Sequence, residues 1–187
     1  MIRLFIEAEE MDMDDEFAPE VTNQEFTSAN TSINSSKLPA VFKMVDFEPG
    51  MINLDVGGGK FDNVAEYLSD FDVTNLVYDP YNRSDSHNRE VLKQVKEHGG
   101  ADSVTCSNVL NVIKEPEARL AVIRNCYKFL KPGHDAFFTV YEGNGSGEEK
   151  PTKSGYQLNR KTAEYVDEIK QVFPTVKRKG KLIIATK

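Results

Sequence analysis

From residue 51 onward the apolar positions fall into short runs separated by stretches with helical spacing. Met51-Ile52-Asn53-Leu54-Asp55-Val56 reads as a buried strand that ends in three glycines, after which Phe61, Val64, Ala65 and Leu68 mark one face of a helix. A second strand, Val73 to Tyr78, stops at Asp79-Pro80, and Val91, Leu92 and Val95 define the next helix before Gly99-Gly100. The third strand is Asp102 to Cys106. Pro116 opens a helix in which Leu120, Ile123, Tyr127 and Leu130 recur every three or four residues until Lys131-Pro132-Gly133 stops it. A strand from Ala136 to Tyr141, a Gly- and Lys-rich loop from Gly143 to Gly155, a helix from Lys161 to Phe173 and a hairpin around Gly180 complete the pattern. Strands alternating with helices predict an α/β fold, Rossmann-like and doubly wound, with a mostly parallel sheet and a C-terminal antiparallel hairpin.

The first part of the chain reads differently. Ile2, Leu4 and Ile6 alternate as in a short edge strand, and the polar run Thr27 to Ser36 reads as loop. Leu38 to Val45 then predicts a short helix with Pro39 in its first turn. Residues 1–36 are therefore expected to be an appendage, and residues 37–187 the folded domain. Charge sharpens that division. Residues 1 to 26 hold nine acids against Arg3, so the net charge of -7 comes from this arm, and the other 161 residues carry 21 acids and 22 bases. Such an arm is either a solvated segment or a contact for a basic partner.

Composition narrows the class. With 39% hydrophobic and 28% charged residues, eleven Phe and seven Tyr, the 187-residue chain is expected to form one globular core. No apolar run approaches the roughly 20 residues that span a bilayer, and Met1 to Glu7 lacks the basic region of a signal peptide, so a cytoplasmic protein without a membrane partner is expected. Two cysteines, Cys106 and Cys126, cannot build a disulfide framework or a cysteine zinc cluster, and both suit core positions. His87, His98 and His134 lack ligand spacing, so no metal site is expected.

The candidate chemistry lies at the strand ends. Ligands of open parallel sheets bind at the carboxyl ends of the strands, where strand order reverses. Asp55, Asp79, Asn108 and Glu142 stand at or just past such ends. Gly57, Gly58 and Gly59 let the backbone turn sharply and approach a ligand without an intervening side chain. About 20 residues on, Asp79 is placed to accept hydrogen bonds from the ribose of an adenosine-containing cofactor. Alternatively, the glycines serve packing and Asp79-Pro80 only starts a turn. A nicotinamide and a S-adenosylmethionine (SAM) site share these features.

The sequence resembles the class I SAM-dependent methyltransferase family over about residues 38 to 187. Leu54-Asp55-Val56-Gly57-Gly58-Gly59 resembles its first motif as far as the second required glycine, with Phe61 in place of the third. Val77-Tyr78-Asp79-Pro80 resembles the ribose motif, Asp102 to Leu110 the fourth-strand motif, and Leu130-Lys131-Pro132-Gly133 the turn before the fifth strand. The chain is also similar to small methyltransferase-like proteins of bacteriophages and bacteria. The resemblance implies that Asp55, Val56 and the backbone of Gly57 to Gly59 hold the methionine part of SAM, that Asp79 holds the ribose, and that Pro80 and Tyr81 lie near the adenine. It also implies that the family's third strand is shortened or missing here, because one helix separates the second strand from Asp102.

Methyl transfer from a sulfonium needs mainly an aligned nucleophile. Asn108, at the cofactor as well as the acceptor, is the first candidate to position that nucleophile, followed by Asn111, Tyr141 and Glu142; Glu142 qualifies as a base if the site raises its pKa. Capping and exposure are the plain alternatives for these residues. Asp79-Pro80-Tyr81 looks like part of the aromatic motif of DNA amino-methyltransferases but follows the wrong strand, and Cys106 reads as core, not nucleophile. The loop after the fifth strand carries Lys150 and Lys153 over the expected site, Thr27 to Ser36 is a candidate lid, and Lys177, Arg178, Lys179 and Lys181 make a basic hairpin. The expected function is methylation of an acceptor that is a nucleic acid or a small molecule. A non-catalytic SAM-binding or interaction module is the alternative. A nicotinamide enzyme is disfavoured, because Asp62 stands where the dinucleotide fingerprint wants its last glycine or alanine.

Overall fold

A computed structural model describes residues 17–30, 37–152 and 155–187. The expected strand at Ile2 to Ile6, the end of the polar run (31–36) and Lys153 lie outside the described residues.

After the short helix α1 (Val41–Met44), the chain runs β1 (Ile52–Val56), α2 (Asn63–Ser69), β2 (Thr74–Tyr78), α3 (Asp85–Glu97), β3 (Ala101–Ser107), α4 (Pro116–Phe129) and β4 (Leu130–Thr139). The small strands β5 (Glu149–Thr152) and β6 (Gly155–Leu158), the short helix α5 (Val166–Lys170), β7 (Thr175–Lys179) and β8 (Leu182–Thr186) follow. Six strands form one sheet in the order β2-β1-β3-β4-β8-β7, parallel from β2 to β4 and antiparallel from β4 to β7. This is the Rossmann-like arrangement expected, with the antiparallel pair at one edge. β2 forms the other edge, and α3 alone leads from it to β3, so among the described residues no strand lies outside β2.

The order explains where a ligand can lie. From β1 the chain steps outward to β2, then crosses back to β3 on the other side, so the loops leaving β1 and β3 diverge and open a crevice between them. Leu54, Val104, Cys106, Ala136 and Phe138 on the central strands are buried together with Ile123, Cys126 and Phe129 on α4. Val41, Phe42, Val64, Leu68 and Leu182 form a second apolar cluster. The central strands are buried on both faces, and they carry the buried polar residues Asn53, Asp55, Ser103 and Thr105 among the apolar ones.

Several expected boundaries shift. The helix from Lys161 to Phe173 is a 3-10 turn at Thr162–Tyr165 followed by the short α5. Lys131-Pro132-Gly133 does end α4, but the chain passes directly into β4, which pairs with Ala101 at Leu130 and resumes pairing at Asp135 after a register shift. The expected loop from Gly143 to Gly155 contains the separate β5–β6 hairpin, with Glu149 opposite Leu158. Alternation in β6 is the reason: Tyr156 and Leu158 are buried, and Tyr156 stacks with Phe26 at 6.1 Å. Periodicity at the level of four residues is too short to read as a strand beside so many glycines.

Part of the acidic arm is docked. Glu20 pairs its backbone N–H and C=O with the Asn125 amide, both at 2.8 Å, and its carboxylate accepts from Arg124 at 2.7 Å. Lys128 donates to the Ala18 carbonyl, Lys114 meets Glu25 at 2.6 Å, and Phe17 packs on Phe129 with ring centroids 5.3 Å apart. The first part of the arm therefore lies along α4, held by Arg124, Asn125 and Lys128 of that helix and by Lys114 just before it.

Candidate functional site

A cavity of about 260 Å³ opens at the crevice between β1 and β3. Asp55, Val56, Gly57, Gly58 and Gly59 line it from β1; Tyr78, Asp79, Pro80 and Tyr81 from β2; Ser107, Asn108 and Val109 from β3. Ala118, Ala121, Val122 and Asn125 of α4 form its floor, and Phe26, Thr27 and Ser28 of the docked arm reach over it with Tyr156 of β6. All nine residues expected at the cofactor thus border one space.

The glycines shape it. Gly57 and Gly59 have φ of +76° and +78°, the left-handed region that glycine enters without steric cost. Space is tight as well: a Cβ on Gly57 would sit 2.5 Å from Val109 Cγ2, and one on Gly58 would sit 2.4 Å from Asp55 Oδ2 and 3.0 Å from Val77 Cγ1. Phe61 replaces a third glycine without strain, since Asp72 and Asn108 are the only described non-glycine residues at positive φ. α2 starts at Asn63, and its first residues Asn63 and Val64 border the cavity beside the glycine loop.

Beneath the loop runs a buried polar chain that sequence reading missed. Asn53 on β1 donates to Asn75 Oδ1 on β2 at 2.7 Å and to Thr105 Oγ1 on β3 at 3.0 Å, while Ser103 donates to Asn53 Oδ1 at 2.8 Å. Thr105 in turn donates to Asp55 Oδ1 at 2.9 Å. Polar residues two apart on central strands were the available signal. Burial pushes the Asp55 carboxyl up to about 7, opposed by the Thr105 hydrogen bond, raised further by Asp79 and lowered by Arg83. A nearby cation stabilises the charged form of an acid desolvated in this way.

Asp79 is held from every side. Its Oδ2 accepts from Gly59 N–H at 2.9 Å and from Asn82 Nδ2 at 3.1 Å, and its Oδ1 accepts from the backbone of Tyr81 and Asn82, both at 3.0 Å. Asn88 fixes its backbone, accepting from Asp79 N–H and donating to its carbonyl, both at 3.0 Å. Asn82 also donates to Ser28 Oγ at 3.0 Å, which ties the acid to the arm.

The four residues considered for the acceptor separate. Asn108 borders the cavity and sits at φ +59°, a conformation that asparagine tolerates better than most residues. Asn111 is buried away from the cavity, where it donates to Gln157 Oε1 at 3.0 Å. Tyr141 is 63% exposed and does not line the cavity. Glu142 accepts from Thr162 N–H and Oγ1, each at 2.8 Å, and lies 3.0 Å from Lys181. The Thr162 backbone and hydroxyl, then Lys181, hold its carboxyl down to about 2, the reverse of what a general base requires. Asn111 and the Tyr141 carbonyl are bonded to Gln157 of β6, and Glu142 to Thr162, so these three residues brace neighbouring segments and do not border the cavity. The basic hairpin residues Lys177, Arg178, Lys179 and Lys181 are likewise outside the cavity lining, as is Lys150.

His87 and His134 bond the Val77 and Asp102 carbonyls, and His98 bonds the Asp102 carboxylate. Among the described residues no group of three or more His, Cys, Asp or Glu side chains could hold a metal ion, and no helix is long and apolar enough to cross a membrane.

A glycine cradle at the switch point of a parallel sheet, flanked by acids from two adjacent strands, defines a Rossmann-like protein, and ligands of such sheets bind in the crevice at that point. Comparison with protein families makes this specific: a methyltransferase domain matches residues 32–175, and the chain belongs to that family. Solved structures agree in fold. The chain is similar to PigF with S-adenosylhomocysteine (SAH) bound, at TM-score 0.52 and 13% identity over 79% of this chain and 53% of that one. It is similar to 1,6-didemethyltoxoflavin-N1-methyltransferase of Burkholderia thailandensis, at TM-score 0.52 and 15% identity over 75% and 72% of the two chains. Human N-acetylserotonin methyltransferase in complex with SAM gives TM-score 0.53 and 15% identity over 79% and 50%. The chain thus spans about half the length of two of these proteins. Comparison with curated proteins gives no significant match.

Proposed function

We propose that this protein is a SAM-dependent methyltransferase whose cofactor lies across Gly57 to Gly59, between Asp55 and Asp79, with Asn108 at the methyl acceptor. The observation that carries the reading is the Gly57–Gly58 backbone, where even a methyl group would collide with Val109 or Asp55, opening onto a cavity that both acids line. The residues fit the cofactor in kind. Asp55, with its raised pKa, is suited to the cationic end of SAM, and Pro80 and Tyr81 offer flat surface for an adenine. Asp79 has its acceptor positions filled, so the ribose hydroxyls would take over the position of the Asn82 side chain.

When bound, SAM would supply an activated methyl on its sulfonium sulfur, which departs as a neutral thioether. The protein's own part is then to bind, align and exclude water. Asp55 balances positive charge, the glycine backbone allows close approach, and Phe26, Val109 and Tyr156 present apolar walls. Asn108 offers both an amide donor and an acceptor at the end of β3 to orient the nucleophile. The acceptor is a nucleic acid base or a small molecule in this reading, and the docked arm acts through Thr27 and Ser28 as part of a lid. A cytoplasmic location goes with it, since two buried free cysteines suit a reducing compartment.

Titration calorimetry with SAM and with SAH tests the reading. Binding of both is expected, with affinity reduced at least tenfold in Asp79→Ala; no heat with either ligand would refute it. One observation favours the alternative, a SAM-binding module without turnover: of the four acceptor candidates only Asn108 lines the cavity. Release of SAH on incubation with RNA, DNA or small-molecule acceptors decides for the enzyme, and binding without release on any of them decides for the module. A nucleic acid acceptor further requires salt-sensitive binding that weakens on charge reversal at Lys177 to Lys181.

A further inference from the structure

We infer that Arg83 is a positioning residue for the cofactor loop, holding with its side chain the stretch in which Phe61 stands in place of a third glycine. The inference rests on the assignment of Gly57 to Gly59 as the SAM loop. Arg83 lies in the turn between β2 and α3, and its side chain is 12% exposed. Its Nε donates to the Gly59 carbonyl at 2.7 Å, and its Nη2 donates to the Phe61 carbonyl at 2.9 Å and to Asp62 Oδ1 at 2.8 Å.

These bonds close a ring around Gly59. Gly59 N–H goes to the Asp79 carboxylate, the Asp79 carbonyl accepts from Arg83 N–H at 3.1 Å, and Arg83 Nε returns to the Gly59 carbonyl. Both polar groups of the Gly59 peptide are thus fixed by the turn that carries the ribose acid. Other supports are weak. Phe61 is an exposed large hydrophobic residue, the Asp62 side chain is 68% exposed and does not cap α2, and α2 itself is only seven residues long. A planar guanidinium with parallel donors suits two carbonyls of one loop, whereas the exposed ion pair with Asp62 adds little. The clamp sets the angle at which Gly57 and Gly58 present their backbone to the cavity, and it couples the loop to Asp79.

Arg83→Met and Arg83→Lys in the full chain test this with two measurements. SAH affinity by calorimetry is expected to fall at least tenfold in Arg83→Met, with Arg83→Lys in between. Amide hydrogen exchange of the ligand-free protein is expected to quicken at least tenfold at Gly59 in Arg83→Met while amides of β3 and β4 keep their rates. Affinity within twofold of the parent protein would overturn the inference, and so would unchanged exchange at Gly59. An equal acceleration across β3, β4 and the loop would reduce Arg83 to a fold-stabilising residue and overturn it as well. Because the exchange measurement needs no ligand, failure of the SAM assignment shows as absence of SAH binding in the parent protein and is distinguished from failure of the clamp.

Discussion

In the proposed function Asp55 binds the cofactor at a cost in stability, and Asp55→Asn tests that cost. Burial raises this carboxyl from 3.8 to about 7, so between those values the folded state binds more protons than the unfolded one. Stability is then lost as pH rises from about 4 to about 7, and the loss is complete above 7. At about 1.4 kcal/mol per pH unit the full effect is about 4 kcal/mol. Relaxation and water entry reduce it, and about 2 kcal/mol is a reasonable expectation. Asparagine matches aspartate in shape and keeps an oxygen for the Thr105 hydroxyl, so the substitution removes the charge and little else. Urea denaturation at pH 5 and pH 8 should show Asp55→Asn more stable than the parent at pH 8, by about 2 kcal/mol, with the gap narrowing at pH 5. SAH affinity should fall in the same variant. Equal pH dependence in the two proteins, or a variant less stable at pH 8, would refute the account of Asp55 as a buried, strained acid.

Two further outcomes follow from the same geometry. Gly58→Ala places a Cβ 2.4 Å from Asp55 Oδ2 and should cost about 1–3 kcal/mol in urea denaturation, with SAH binding weakened more than tenfold in calorimetry. Asp102 stands at the far end of β3, where burial opposes ionisation but the Ile52 N–H, Lys131 and His98 outweigh it and bring its pKa to about 2. A lowered acid contributes stability above its unfolded value near 4, and that contribution is lost as pH falls through about 2. Asp102→Asn should therefore cost about 1–2 kcal/mol at pH 7, less at pH 2, and leave SAH affinity within twofold, as thermal and calorimetric titrations can verify.

Regular alternation made the parallel half of the fold legible. β1 is closed by glycine, β2 by Asp79 and β3 by Asn108, and each intervening helix has its apolar residues three and four apart, so local pattern and final structure agree. The glycine cradle and Asp79 were legible for the same reason: chain direction and strand ends fix where these residues must lie. The β5–β6 hairpin was not, since its strands are four residues long and depend on Tyr156 meeting Phe26 from a segment more than a hundred residues away.

Arm and acceptor side show the same limit. The sequence marks residues 1–26 as acidic, whereas the docking of Glu20 and Glu25 depends on cations that α4 and the residues before it present in space. Tyr141 and Glu142 follow a strand that points toward the site, yet β4 delivers them to Thr162, Lys181 and solvent. By itself the sequence determined the sheet, its switch point and the loop that a cofactor can approach, because hydrophobic period and glycine act locally. Tertiary structure alone decided which side chains border that loop, the clamp by Arg83, the raised acid at Asp55 and the isolation of Glu142, because hydrogen bonds and desolvation depend on neighbours that are distant in sequence.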